Sequence, residues 1–335
     1  MEKFIVEVTE GQKYTAGSKA KEDIVSILTA AGFNKISLSV PKNKLLRGLK
    51  GKALWRAALK KVKKNDIIVY QYPAYSRILG DYFLAAANAI EGCKKVVLIH
   101  DLDALRIYKH SPKDRARELA FLSGFDYVIS HNETMTNWLK AEGVKTPILP
   151  LELFDYLEKA AIKETKQTAP VVFAGNLEKS SFLEKINFHT KMHLYGLSPA
   201  EKYKDTIVYK GAFSPDELGQ KLEGSYGLVW DGDSVETCRG TVGEYMKYNN
   251  PHKVSLYLSL GIPVIIWKDA ALSSFIEMNK VGVAIEHLTD LDERLSTITK
   301  EEYLAMSEHA QSIAKKLRSG YFITKVLNEI MEEIA

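Results

Sequence analysis

"KYNNPHKVSLYLSLGIPVIIW" (247–267) contains a complete helix-to-strand unit. Asn250 is a suitable helix cap, and Pro251 suits the first helical position because its ring presets φ and its missing donor costs nothing there. Val254, Leu256, Tyr257, Leu258 and Leu260 form an apolar body. Gly261 closes the helix, and Pro263 forbids its continuation. "IPVIIW" then reads as a buried strand. A mostly apolar helix feeding directly into a β-branched strand is the repeating unit of a covered parallel sheet. The same stretch raises an electrostatic question. His252 and Lys253 fall in the helix's first turn, where unsatisfied N–H groups and the dipole disfavour a cation by about 0.3–1 kcal/mol. A phosphate bound at the helix end would remove the conflict; the alternative is that Lys253 simply points into water.

The same alternation runs outward in both directions. "FIVEV" (4–8), "ISLSV" (36–40), "DIIVYQY" (66–72), "KVVLIH" (95–100) and "YVIS" (127–130) read as strands, with helical patterns near 18–31, 45–64, 78–91, 113–123 and 132–141. "EGVKTPILPLELFDY" (142–156) breaks the periodicity with prolines and marks a domain boundary. The order then restarts with "APVVFAGN" (169–176), "MHLYG" (192–196), "DTIVYKG" (205–211), "YGLVWDG" (226–232), the opening strand (262–267) and "VGVAIEH" (281–287). The expected fold class is α/β, with two tandem Rossmann-like, doubly wound parallel-sheet domains over 1–151 and 152–319. A cleft between them would face the carboxyl ends of both sheets. The helical segment 320–335 is expected to pack back on the N-terminal domain.

At 335 residues the chain exceeds one comfortable core. Its 46% hydrophobic and 26% charged content is ordinary for a soluble protein. A formal net charge of +4 gives no reason to expect a nucleic-acid partner. Cys93 and Cys238 form neither a disulfide framework nor a metal-ligand cluster, which suits a reducing cytoplasm. The N-terminus lacks a signal-peptide pattern, and no run reaches the ~18 apolar residues that span a bilayer.

Several segments at strand ends carry candidate chemistry. "WDGDSVETCRGTVGEYMKYNN" (230–250) is a polar loop directly after a core strand, where α/β proteins bind ligands. Its "DGD" resembles an Asp-x-Asp metal motif, although acids after a strand are commonly turn formers. "FAGNLEKSS" (173–181) places Asn176 and Lys179 at a strand end without dinucleotide G-x-G-x-x-G spacing. Phe213 precedes a helix where a base could stack on it, or it belongs to the core. "TEGQKYTAGSKAKEDI" (9–24) follows the first strand and fails the Walker A spacing. Its Gly17 and Ser18 can open the next helix toward the cleft. In "LIHDLDALR" (98–106), His100 and Asp101 leave a strand together, and a carboxylate beside an imidazole can abstract a hydroxyl proton. The plainer alternative is a capped loop in which Asp101 pairs with Arg106.

Residues 42–64 hold ten Lys/Arg and no acid, with a stripe of Leu45, Leu46, Leu49, Leu54, Leu59 and Val62 beside Trp55. A basic amphipathic helix suits an anionic membrane face. A sheet-packing helix with solvated charges is the bland reading. Both hold if Trp55 and the lysines lie on the outer edge.

"GSKAKEDI", "LIHDLDALR", "FAGNLEK", "AFSPDEL", "YGLVWDG" and above all "GEYMKYNNPHKVSLYLSLGIPVIIW" together resemble one group of bacterial GT-B glycosyltransferases. That group includes β-1,6-galactofuranosyltransferases and the glucosyltransferases that extend O-glycans on serine-rich adhesins. The resemblance covers almost the whole chain. It implies a GT-B fold and a UDP-sugar donor substrate held mainly by the C-terminal domain, with no further cofactor and no essential metal. By position, Lys253 resembles the family's diphosphate-contacting lysine. Lys179 stands where the adhesin enzymes have an arginine and so loses bidentate geometry. Phe213 stands where they have a tyrosine near the uracil, and Gly17 opposite a threonine. Asn176, Asn250, His252 and Ser18 complete the candidate donor-binding set, with Asp101 and His100 as the catalytic candidates. "HDLDALR" and "NNPHK" look nearer to the galactofuranosyltransferase branch.

The implied activity is inverting transfer of a hexosyl group, galactofuranose or glucose, from a UDP-hexose to a sugar hydroxyl. The glycan acceptor would be lipid- or protein-linked, in cell-surface polysaccharide or glycoprotein synthesis at the inner face of the membrane. A homo-oligomer is compatible with this reading. The competing reading is a non-catalytic nucleotide-sugar-binding subunit of a glycosylation complex.

Overall fold

A computed structural model describes residues 1–9, 16–41, 43–74 and 76–334. Among them the chain divides into two compact units, residues 1–152 with 322–335, and residues 153–321. The first unit runs β1 (Lys3–Thr9), α1 (Ala16–Ala30), β2 (Asn34–Ser39), α2 (Lys44–Ala58), β3 (Ile67–Tyr72), α3 (Arg77–Asn88), β4 (Lys94–Ile99), α4 (Pro112–Leu122), β5 (Tyr127–Ser130), α5 (Glu133–Ala141) and β6 (Ile148–Pro150). Its strands pair in parallel in the order β2-β1-β3-β4-β5-β6. Every residue of β3 is buried, as expected of a central strand covered on both faces.

The second unit contains β7 (Val171–Ala174), β8 (Met192–Tyr195), β9 (Ile207–Gly211), α6 (Pro215–Lys221), β10 (Gly227–Val229), α7 (Gly240–Tyr245), α8 (His252–Ser259), β11 (Val264–Trp267), α9 (Ser273–Met278), β12 (Gly282–Ile285), α10 (Leu291–Ser296) and α11 (Lys300–Ser319). The sheet order is β12-β11-β10-β7-β8-β9, again parallel. Strand order therefore reverses between β1 and β3 in one sheet and between β7 and β10 in the other. Such crossover points open a crevice at the carboxyl ends of the strands. From Phe322 onward α12 (Tyr321–Ile334) belongs to the first unit, and Lys325 Nζ lies 2.7 Å from Glu152 Oε1.

Packing in the first unit centres on a ring cluster. Tyr70 stacks on Phe83 at 4.4 Å, and Trp55 meets Phe83 edge-on at 5.1 Å. Trp55 is completely buried, so the outer-edge position under which both readings of this helix would hold is not the one it takes. The large ring is the anchor of α2, and Arg47 of the same helix is buried with its Nε donating to Pro41 O at 2.6 Å, while Lys50, Lys52 and Arg56 face outward. In the second unit, Tyr257 of α8 lies beneath both strands flanking the crossover. The Ala174 N–H donates to its hydroxyl at 2.8 Å. Gly227 lies so close to its ring that an added Cβ would sit 2.1 Å from Cγ. Only a residue without a side chain admits this approach.

Two details differ from the sequence reading. The stretch around 148–150, read as linker, supplies the sixth strand, with the Val128 N–H donating to Pro147 O at 2.9 Å. Its prolines are tolerated because β6 is an edge strand. In the opening stretch Pro251, not Asn250, is the helix cap. Its ψ of 127° is extended, so His252 is the first helical residue, and Asn250 is buried before it.

Candidate functional site

The carboxyl end of β7 is built for close approach. Gly196, at φ +150°, is so near the Gly175 carbonyl that a Cβ would meet that oxygen at 1.7 Å. Gly175 in turn faces Lys253, whose Cε lies 3.1 Å from where a Cβ on Gly175 would be. Lys253 thus leaves the first turn of α8 and brings its ammonium to the β7/β10 crossover. There it lies 2.6 Å from Asp231 Oδ1, just past β10, and 5.0 Å from the centre of the Phe173 ring. Both partners of this ion pair are largely enclosed, a setting in which charge-assisted hydrogen bonds are strong.

The two basic residues at this helix end therefore behave differently. Lys253 is neutralised by a carboxylate. His252 packs its ring 4.6 Å from Phe154, and its enclosed Nδ1 has no hydrogen-bond partner among the described residues. Burial pushes its pKa down to about 4, so it is neutral at pH 7. The expected pair of cations is thus one ion pair and one neutral ring.

The remaining donor-side candidates are dispersed along the same strand ends. Asn176 caps a short 3₁₀ turn (Leu177–Lys179), its Oδ1 accepting the Glu178 N–H at 3.1 Å. Lys179, at the end of that turn, is exposed. Phe213, between β9 and α6, is half-buried, with its ring 6.3 Å from Tyr195 and the Lys221 ammonium 5.9 Å away. It stands two strands from β7, roughly 10 Å by ordinary strand spacing. Asp231 and Asp233 of the "DGD" each face a cation, Asp233 lying 2.7 Å from Arg239 Nε.

In the first unit, His100 is buried, and its Nε2 meets Gln71 Oε1 at 2.9 Å. The Gln71 amide donates to Val6 O at 3.2 Å, which leaves its oxygen to accept and assigns the His100 proton to Nε2. This chain ties β4, β3 and β1 together at the crossover, so His100 braces the sheet there. Asp101, next along, has a half-exposed carboxylate 3.3 Å from Arg106 Nη1. Arg106 also holds Asp103 at 2.9 Å. Burial raises the Asp101 pKa above the usual carboxylate value, opposed by Arg106 and Lys21.

Gly17 and Ser18 are the second and third residues of α1, and the preceding loop, residues 10–15, lies outside the described residues. Ser18 lines a cavity of about 140 Å³ at the β1/β3 crossover. Lys21 is shared between this cavity and a larger one of about 400 Å³. The Lys21 ammonium donates to Pro73 O, and burial lowers its pKa to about 8.

The larger cavity was not anticipated from the sequence. Tyr72, Arg77, Tyr108 and Glu118 shape it. Arg77 lies over the Tyr108 ring at 4.1 Å and pairs with Asp114 at 2.5 Å. Glu118 is buried, accepting the Tyr72 hydroxyl at 2.6 Å and the backbone N–H groups of Asp103 and Ala104. The available signal was an acid at 118 on the same helical stripe as Leu122, where a buried carboxylate demands donors. Tyr72 and Arg77 offered no comparable signal.

Two such parallel-sheet units constitute the GT-B fold of glycosyltransferases. The sucrose-phosphate synthase of Thermosynechococcus elongatus superposes with a TM-score of 0.67 over 99% of each chain, at 12% identity. The glucosyltransferase 3-like N-terminal domain model matches residues 2–153 and the corresponding C-terminal domain model residues 171–330, so the chain belongs to the glucosyltransferase 3-like family. Among its relatives, the β-1,6-galactofuranosyltransferase WbbI of Escherichia coli (strain K12) is 34% identical over 95% of both chains. Glucosyltransferase 3 of Streptococcus gordonii is 26% identical over 94% of both. The chain is a glycosyltransferase.

Proposed function

We propose that this glycosyltransferase transfers a hexosyl group from a UDP-sugar to a sugar hydroxyl of a glycan acceptor with inversion, and that UDP-galactofuranose is the donor. The observation that carries the donor half is the Lys253 ammonium at the first turn of α8, beside a helix end that favours anions. An incoming diphosphate would draw Lys253 from Asp231, and the lysine would then stabilise charge developing on departing UDP. Phe213 offers a face for the uracil. Asp101 would accept the proton of the attacking hydroxyl, a role that suits its raised pKa. The cavity shaped by Tyr72, Arg77, Tyr108 and Glu118 would take the acceptor sugar. It is of ligand-pocket size, and its rings, carboxylates and guanidinium are the groups that hold polyols. No metal is needed on this reading, since Lys253 supplies the charge and both aspartates of the "DGD" are engaged by cations. The preference for galactofuranose over glucose rests on the higher identity to WbbI.

The test is product analysis by mass spectrometry with UDP-galactofuranose and UDP-glucose across a panel of acceptor glycans, with and without a chelator. Hexose addition that survives chelation supports the reading. Donor binding without any transfer or hydrolysis would favour the non-catalytic subunit instead.

A further inference from the structure

Helix α2 is firmly seated by one face and unexplained on the other. Its inner face carries Gly51, where an added Cβ would meet the Tyr82 ring at 2.6 Å, and the fully buried Trp55. The Tyr82 hydroxyl donates to Gly48 O at 3.0 Å. The helix cannot roll to bury more. Yet Leu45 and Leu49 are 77% and 80% exposed, with Leu46 half-exposed beside them. The spacing of four places Leu45 and Leu49 one above the other, with Ala53 following on the same line. Lys50, Lys52 and Arg56 flank that line, and Lys60 and Lys61 continue the basic surface beyond it, all of them exposed.

We propose that this face docks on an anionic lipid bilayer, with Leu45 and Leu49 entering the headgroup–acyl boundary and the cations contacting lipid phosphates. Leucines clustered at one end of a helix among lysines and an arginine are the composition of an interfacial anchor. Each Lys/Arg near an anionic surface adds attraction, and long basic side chains can reach headgroups while their stems cover apolar surface. Residues 42–64 contain no acid, and although Arg47 is buried, the exposed Lys50, Lys52, Arg56, Lys60 and Lys61 fit a uniformly negative partner. A two-fold contact with a second copy would set these cations against each other. The proposal is independent of donor and acceptor chemistry, because none of these residues lines either candidate half-site.

The test is co-sedimentation of the full chain with phosphatidylcholine vesicles, with and without phosphatidylglycerol. Binding is expected only with the anionic lipid and should weaken with added salt. Lys50→Ala/Lys52→Ala/Arg56→Ala should lose on the order of 100-fold in partitioning. Leu45→Ser/Leu49→Ser should lose roughly tenfold or more. Both variants should keep wild-type circular dichroism and turnover on a soluble acceptor. Equal sedimentation with both vesicle types would overturn the proposal. So would undiminished binding of the leucine variant, or a solution dimer that this variant abolishes.

Discussion

The Lys253 ammonium and the Asp231 carboxylate meet at 2.6 Å where the second sheet reverses its strand order. A carboxylate at the proposed diphosphate position would compete with it. Asp231→Asn should therefore tighten UDP binding severalfold by calorimetry, with the gain shrinking as salt screens the charges. Lys253→Ala should lower kcat/KM by about 10²–10³, the usual cost of losing one charge-stabilising donor. Near-normal turnover in Lys253→Ala would remove the donor half of the proposal.

The enclosed ring of His252 gives the fold an acid-sensitive point. Its pKa falls from 6.5 in the unfolded chain to about 4 in the folded one, through burial. Between those values the unfolded chain binds the extra proton, so stability rises with pH and is lost as pH falls from about 6.5 to 4. The difference amounts to about 3 kcal/mol at most, since part of the residue reaches solvent. Thermal melts of His252→Phe should show a shallower loss between pH 6.5 and 4.5. A variant whose melting temperature tracks the wild type across that range would refute this.

Asp101 sets a kinetic expectation. Burial raises its pKa, and Arg106 opposes the rise. The acid limb of kcat/KM should lie above the ordinary aspartate range and vanish in Asp101→Asn. Arg106→Ala should move that limb to higher pH, because the opposing cation is gone. Movement toward lower pH would contradict the assignment.

Gly227→Ala should be among the more damaging small substitutions, since its methyl group would have to occupy space held by the buried Tyr257 ring. Overpacking of this kind costs about 1–3 kcal/mol. At roughly 2–4 °C per kcal/mol, the melting temperature should fall by about 2–12 °C. Restoration by the double variant Gly227→Ala/Tyr257→Leu would locate the strain in this contact.

Tyr108→Ala removes the ring under Arg77. Acceptor KM should rise about tenfold, in line with a lost cation–π and stacking surface. The affinity for UDP should stay unchanged. A parallel loss of UDP binding would argue against an acceptor role for this cavity.

The fold was legible because alternation of β-branched runs with helical segments is a local signal, and both sheets are built from it. β6 escaped because Pro147 and Pro150 mimic linker chemistry, and only the neighbouring strand reveals that an edge position excuses them. The burial of Trp55 was not legible, because a stripe seen along one helix does not say which side meets the sheet. The candidate site was less legible. Lys253 stood out because a cation at a helix N-terminus is a local anomaly. Its partner Asp231 lies 22 residues earlier, and nothing local distinguishes it from a turn acid. Tyr72, Arg77, Tyr108 and Glu118 converge only through tertiary folding.

The hydrogen bond from the Ala174 N–H to the Tyr257 hydroxyl has a consequence for ligand entry. It pins the end of β7 to the helix that carries Lys253, one residue before the glycine that faces that lysine. The strand end beside the ammonium is thus tied to the helix by folding itself. If Lys253 holds the diphosphate as proposed, its exchange of one oxygen anion for another occurs on a strand end already fixed by folding, which lowers the entropy lost on binding.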